Sequence, residues 1–142
     1  MTDRELTFSN DQAVTTGTQY STDKYDTGVA GHPNINTNRE LQVLVVVTTA
    51  FASGTSLNVN LVESDNADLS SPTVLASSGV IAEANLTVGK RLLATAVPRT
   101  SKRYLGLQFV TVGTHTAGTV FGGIVRDIDD VAFPTQHTGF VA

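Results

Sequence analysis

The chain has 142 residues, no cysteine and a formal net charge of −4. That is one domain's length, enough to bury roughly two-thirds of the unfolded surface without a staple, and disulfides and thiolate metal sites are excluded. The mild acidity argues against a duplex nucleic-acid binder, no apolar run approaches the ~18 residues of a membrane span, and the polar start Asp3-Arg4-Glu5 does not read as a secretory signal.

Residues 1–22 are polar, with Leu6 and Phe8 isolated among Thr, Ser and Asp, and read as an N-terminal arm. The β core is expected over 23–126. Leu41 to Thr49 is a Val-rich run suited to a central strand, and Phe51 to Thr55 turns the chain at Gly54. Leu57, Val59 and Leu61 then alternate with Asn58, Asn60 and Val62, a period of two. Glu63 to Ser71 is a polar connection closed by Pro72. Shorter runs follow at Thr73–Ser77 and Val80–Ala82 around Gly79, and at Leu86–Val88 and Arg91–Ala94 around Gly89-Lys90. Tyr104 to Val112 alternates again, placing Leu105, Leu107 and Phe109 on one face. Thr119 to Arg126 is the last strand, with Gly113 to Gly118 as its hairpin loop. Residues 127–142 read as a C-terminal arm.

About eight short strands at regular spacing, without sustained helical periodicity, predict an all-β antiparallel jelly roll or sandwich. Val43, Val45, Val47, Leu57, Val59, Leu61, Leu105, Leu107 and Phe109 are the expected core.

Little in the chain resembles catalytic or ligand chemistry. His32, His115 and His137 lack metal-pair spacing, and His115 is expected at an exposed loop tip. Gly113 to Gly118 has a phosphate loop's glycine spacing but lacks the Lys, and it lies between strands. The acidic groups Glu63-Ser64-Asp65-Asn66-Ala67-Asp68 and Asp127-Ile128-Asp129-Asp130 lack calcium-loop spacing and read as solvated loops. No cofactor or metal is assigned. Whether Glu40, Glu63 or Glu83 pair across a cleft, as a hydrolase requires, is a matter of three dimensions. Lys90, Arg91, Arg99, Lys102 and Arg103 crowd into one stretch, either as a docking patch for an acidic surface or as two solubilising loops.

Several segments, taken in order, resemble one family. The opening Thr2-Asp3-Arg4-Glu5-Leu6-Thr7-Phe8-Ser9 is followed by Asp11-Gln12-Ala13-Val14. Next come Thr48 to Leu57, then Ser71-Pro72-Thr73-Val74-Leu75-Ala76, then Arg103-Tyr104-Leu105-Gly106-Leu107, and finally Phe133-Pro134-Thr135-Gln136-His137-Thr138-Gly139-Phe140. Together they resemble the cement, or decoration, proteins of tailed-bacteriophage capsids. Gly28 to Arg39 and Asp129 to Ala132 depart from the resemblance. It implies a non-enzymatic jelly roll on the outer surface of the virion, bridging neighbouring major capsid proteins. It also implies self-association, a dimer being favoured over a trimer, with neither membrane nor nucleic acid as a direct partner. Contacts are then expected from Arg4, Leu6, Phe8, Arg99, Lys102, Arg103, Phe133, Pro134 and Phe140. A carbohydrate- or receptor-binding virion jelly roll is the competing expectation; its weakness is the absence of Trp and the presence of only three Tyr as stacking platforms.

Overall fold

Alternation along two central strands organises the molecule. In the computed structural model, which describes residues 2–28 and 41–126, Leu57, Val59 and Leu61 point inward from one strand and Leu105, Leu107 and Phe109 from its neighbour. Among the described residues the strands are β1 (Thr2–Ala13), β2 (Thr18–Tyr20), β3 (Tyr25–Asp26), β4 (Gln42–Ala52), β5 (Ser56–Ser64), β6 (Thr73–Ala82), β7 (Arg91–Ala96), β8 (Tyr104–Val112) and β9 (Ala117–Val125). They form two antiparallel sheets, in the orders β1-β9-β4-β7 and β2-β8-β5-β6, with β3 also on β8. With β2 and β3 taken as one interrupted strand, this is the eight-position, double Greek-key order of a jelly roll. The all-β sandwich read from the sequence is the fold of the protein.

The core lies between the sheets. Val43, Val45 and Val47 of β4, with Val120 and Ile124 of β9, face the inward residues of β5 and β8. All of the expected core positions are buried. Each such side chain contributes roughly 1.5–3 kcal/mol on full burial. The sheets approach closely at Gly122, where a Cβ would fall 2.4 Å from Leu107 Cδ1 of the opposite sheet. Leu44 and Val125 form a smaller cluster with Val46.

Several local expectations change. Thr2–Ala13, expected within an arm, is instead the edge strand of the first sheet, paired with β9. Phe8 is 1% exposed and belongs to the main core, with Leu6 packed against it. Gln12 helps hold this segment: its Oε1 accepts from Ser9 Oγ (2.6 Å) and Thr22 N (2.9 Å), and its Nε2 donates to Tyr20 O (2.8 Å). The side chain thus clips β1 to β2 of the other sheet. Asp23 N adds a second clip by donating to Phe8 O at 2.8 Å.

Gly113 to Gly118 was expected to close a hairpin, but β8 and β9 lie in different sheets, so this loop arches between layers. Leu86 to Val88 is not a strand. It follows a 3-10 turn over Glu83–Asn85, where Leu86 N donates to Glu83 O and Leu86 is buried. Thr73–Ala82 is one strand rather than two. The expected C-terminal arm with Phe133, Pro134, Phe140 and His137, together with His32 and Glu40, lies outside the described residues.

Candidate interaction surface

Period two carries Glu63 into the same inward phase as Leu57, Val59 and Leu61, so β5 ends with a buried carboxylate, 3% exposed. A buried anion must be hydrogen-bonded. Here Oε2 accepts from Ser101 N (2.7 Å) and Lys102 N (3.2 Å), and Oε1 accepts from Ser101 Oγ (2.8 Å). Glu63 therefore fixes the β7–β8 loop, residues 97–103, from below. Hydrogen bonds to a charged group contribute about 1.5–3 kcal/mol each. The loop presents Arg99 as an exposed side chain and Lys102 as a half-buried one.

Arg103 is committed elsewhere. Its Nε and Nη2 donate to the two oxygens of Asp26 at 2.8 and 3.0 Å, and its guanidinium lies 5.1 Å from the Tyr104 ring centroid. Thr27 closes the same junction, its N and Oγ1 both donating to Arg103 O. The Arg103 hydrogen bonds, aided by Gly28 N, hold the Asp26 carboxyl below its usual range, and the same contact raises Arg103. Arg103 thus ties β3 to β8.

The five crowded basic residues do not form one patch. Lys90 and Arg91 sit at the start of β7, while Arg99, Lys102 and Arg103 follow its end. The six-residue strand between them spans roughly 16 Å. The acidic run separates too. Glu63 points inward, whereas Asp65 and Asp68 are exposed, and Asp68 Oδ1 accepts from Ser70 N at 2.9 Å. Ser70, through its side chain first and its backbone N–H second, holds the Asp68 carboxyl below its usual range. Among the described residues no group of three or more His, Cys, Asp or Glu side chains could hold a metal ion. Glu63 and Glu83 stand at opposite ends of the β5–β6 ladder, roughly 25 Å apart along it, beyond the ~5–10 Å of paired glycosidase carboxyls.

The loop over residues 65–72 folds across the outer face of the second sheet. Leu69 is 1% exposed and sits where Gly106 leaves room, a Cβ there falling 2.5 Å from Leu69 Cδ1. Leu69 adopts φ +62°, and Ser64 Oγ holds the loop by donating to Ser70 O.

At the other end of the sandwich, His115 departs from its expected exposed position. It is 1% exposed, edge-on to Phe51 at 5.0 Å, with Nε2 3.3 Å from Ser56 O. Its backbone N donates to Thr15 O, and Gly54 passes so close that a Cβ would fall 2.1 Å from the ring. The side chain packs the β4–β5 and β8–β9 arches together, and its Nδ1 has no partner.

Of the expected contact residues, then, Arg99 and Lys102 share one loop, Arg103 is ion-paired and Phe8 is internal. Leu6 is half-buried against the core, and Arg4 lies on β1. Phe133, Pro134 and Phe140 lie outside the described residues. Asp26 is an organising residue that pattern reading did not name, and Glu63, expected in a solvated acidic loop, is buried; its inward phase was the available signal.

The family model Bbp16 matches residues 8–124, from Phe8 in β1 to Ile124 in β9, and so spans both sheets. No curated protein matches the chain.

Proposed function

The chain belongs to the Bbp16 family, and we propose that it is a capsid cement protein. In this reading it binds the outer surface of a tailed-phage head, bridges neighbouring major capsid proteins and self-associates. It is structural rather than enzymatic and resides on the virion.

The observation that carries this reading is the Glu63-anchored loop. A buried carboxylate holds the backbone of Ser101 and Lys102, so the neighbouring cations Arg99 and Lys102 stand on a fixed platform. The same end of the sandwich carries Gly28, Leu41 and Arg126, from which residues 29–40 and 127–142 continue. Fixed cations suit register on an acidic surface, and several weak contacts on one particle gain by multivalency. The sequence resemblance to cement proteins supports the same role. Phe8 is no longer among the proposed contacts, because it fills its own core.

The test is decoration of heads that lack the native protein. Wild-type protein is expected to bind them and raise their resistance to heat or osmotic rupture. Arg99→Glu/Lys102→Glu is expected to bind more weakly, by about 10-fold or more, while keeping its melting temperature. Failure of the folded wild-type protein to bind any such head overturns the reading.

A further inference from the structure

The two sheets have four edges, and three are protected. A free strand edge is a template for pairing and is normally blunted by charge, shortness or interruption. Edge strand β1 is interrupted by three register shifts against β9 and carries the exposed Asp11. Edge strand β7 has six residues and opens on Arg91, preceded by Lys90. The β2/β3 edge is broken into pieces of three and two residues and ends at the Asp26–Arg103 pair. Edge strand β6 differs. It is ten residues long, Thr-Val-Leu-Ala-Ser-Ser-Gly-Val-Ile-Ala, without a charge or a proline. Among the described residues nothing pairs with its second side.

The outward positions level with this edge on β5 and β8 are also uncharged, the acidic 65–72 loop crossing the face only at its Val62–Gly106 end. The ladder puts Val80 level with Asn58 and Val110, Ser77 with Asn60 and Gln108, and Val74 with Val62 and Gly106. Val74 is 51% exposed and Val80 74%, two of the large apolar side chains left in solvent.

We propose that β6 pairs antiparallel with β6 of a second copy about a twofold axis at Ser77, joining two four-strand ladders into one continuous sheet. Self-complementarity identifies the occupant as a second copy of the chain. Identical antiparallel strands satisfy twofold symmetry automatically, and an uncharged strand meets its own copy without like-charge repulsion. An axis at Ser77 sets Val74 opposite the second copy's Val80, so each exposed valine covers another. The β5–β6 ladder has two register irregularities, between Asn58 and Asn60 and between Leu61 and Val62. They fall on either side of Ser77, and the same axis exchanges them. The inference gives a surface to the self-association proposed above and is independent of capsid binding.

The chain has no cysteine, so Ser77→Cys isolates the contact. On the proposed axis the two thiols lie within disulfide reach. Oxidised Ser77→Cys is expected to run as a covalent dimer on a non-reducing gel, whereas Val112→Cys, exposed on β8, stays monomeric. Independently, sedimentation equilibrium is expected to show a wild-type dimer. Val74→Lys/Val80→Lys, folded by circular dichroism, should raise its dissociation constant by about 100-fold, and an equimolar mixture with Val74→Glu/Val80→Glu should restore the dimer. A dimer that survives the lysine pair, with Ser77→Cys remaining uncrosslinked, overturns this surface and leaves self-association standing. A wild-type protein that is monomeric at every concentration overturns both.

Discussion

Replacing Phe8 by Ala separates two views of the N-terminal segment. Phe8 is 1% exposed within the main core and is carried there by an edge strand. Removing a buried phenyl ring loses its transfer free energy and leaves a cavity, at a cost of about 3–5 kcal/mol. Edge position favours the lower half of that range, because β1 can partly collapse onto β9. For a domain of this size each kcal/mol lowers the melting temperature by about 3–4 °C, so Phe8→Ala is expected to melt roughly 9–16 °C below wild type. Leu6→Ala, truncating a half-buried neighbour, is expected to cost less, about 1 kcal/mol. The assay is thermal or urea unfolding followed by circular dichroism. An arm that only docks on a partner gives the opposite pattern: unchanged melting for both variants with loss of head binding. That result would refute the placement of Phe8 in the core.

Three further outcomes follow from particular contacts. Glu63→Gln replaces one acceptor oxygen with a donor facing donors, so it should destabilise by about 1.5–3 kcal/mol and speed hydrogen exchange at Ser101 and Lys102; unchanged exchange counts against the anchored loop. Gly54→Ala drives a Cβ to 2.1 Å from the rigid, buried His115 ring; it is expected to cost about 1–3 kcal/mol by overpacking, and an unchanged melting temperature contradicts the packing of the two arches. Asp26 has its carboxyl held below the ordinary 3.8 by Arg103. A depressed carboxylate stabilises above its unfolded value and loses that contribution as pH falls through the folded one. The small stability gap between wild type and Asp26→Asn should therefore be flat near neutrality and close in acid below about pH 4; a gap that widens on acidification reverses the sign.

Much of the sandwich was legible because half-buried strands repeat every two residues. Leu57–Leu61 and Leu105–Phe109 carry that period plainly, Val43–Val47 is a continuous apolar run, and each supplies the core. β1 was harder. Its alternation rests on Leu6 and Phe8 alone, and the strand that accepts it, β9, lies more than a hundred residues away. Connections misled for a related reason: a glycine-bounded loop such as Gly113–Gly118 reads alike whether its strands pair or lie in opposite layers. The candidate interaction surface was legible only as composition. Charge crowding found Arg99 and Lys102, but separating Lys90 and Arg91 from them required the direction of β7. That Arg103 is spent on Asp26 required knowing that β3 pairs with β8. His115 was misplaced because Gly54 and Phe51, which enclose it, lie some sixty residues earlier in the chain.

The most direct measurement of the central claim is the structure of the parent phage head at a resolution that traces this chain. The account predicts a jelly roll on the outer shell at junctions between major capsid proteins, with the Arg99–Lys102 loop turned toward the capsid. Finding this chain only on the tail or its fibres, or absent from the particle, would contradict it.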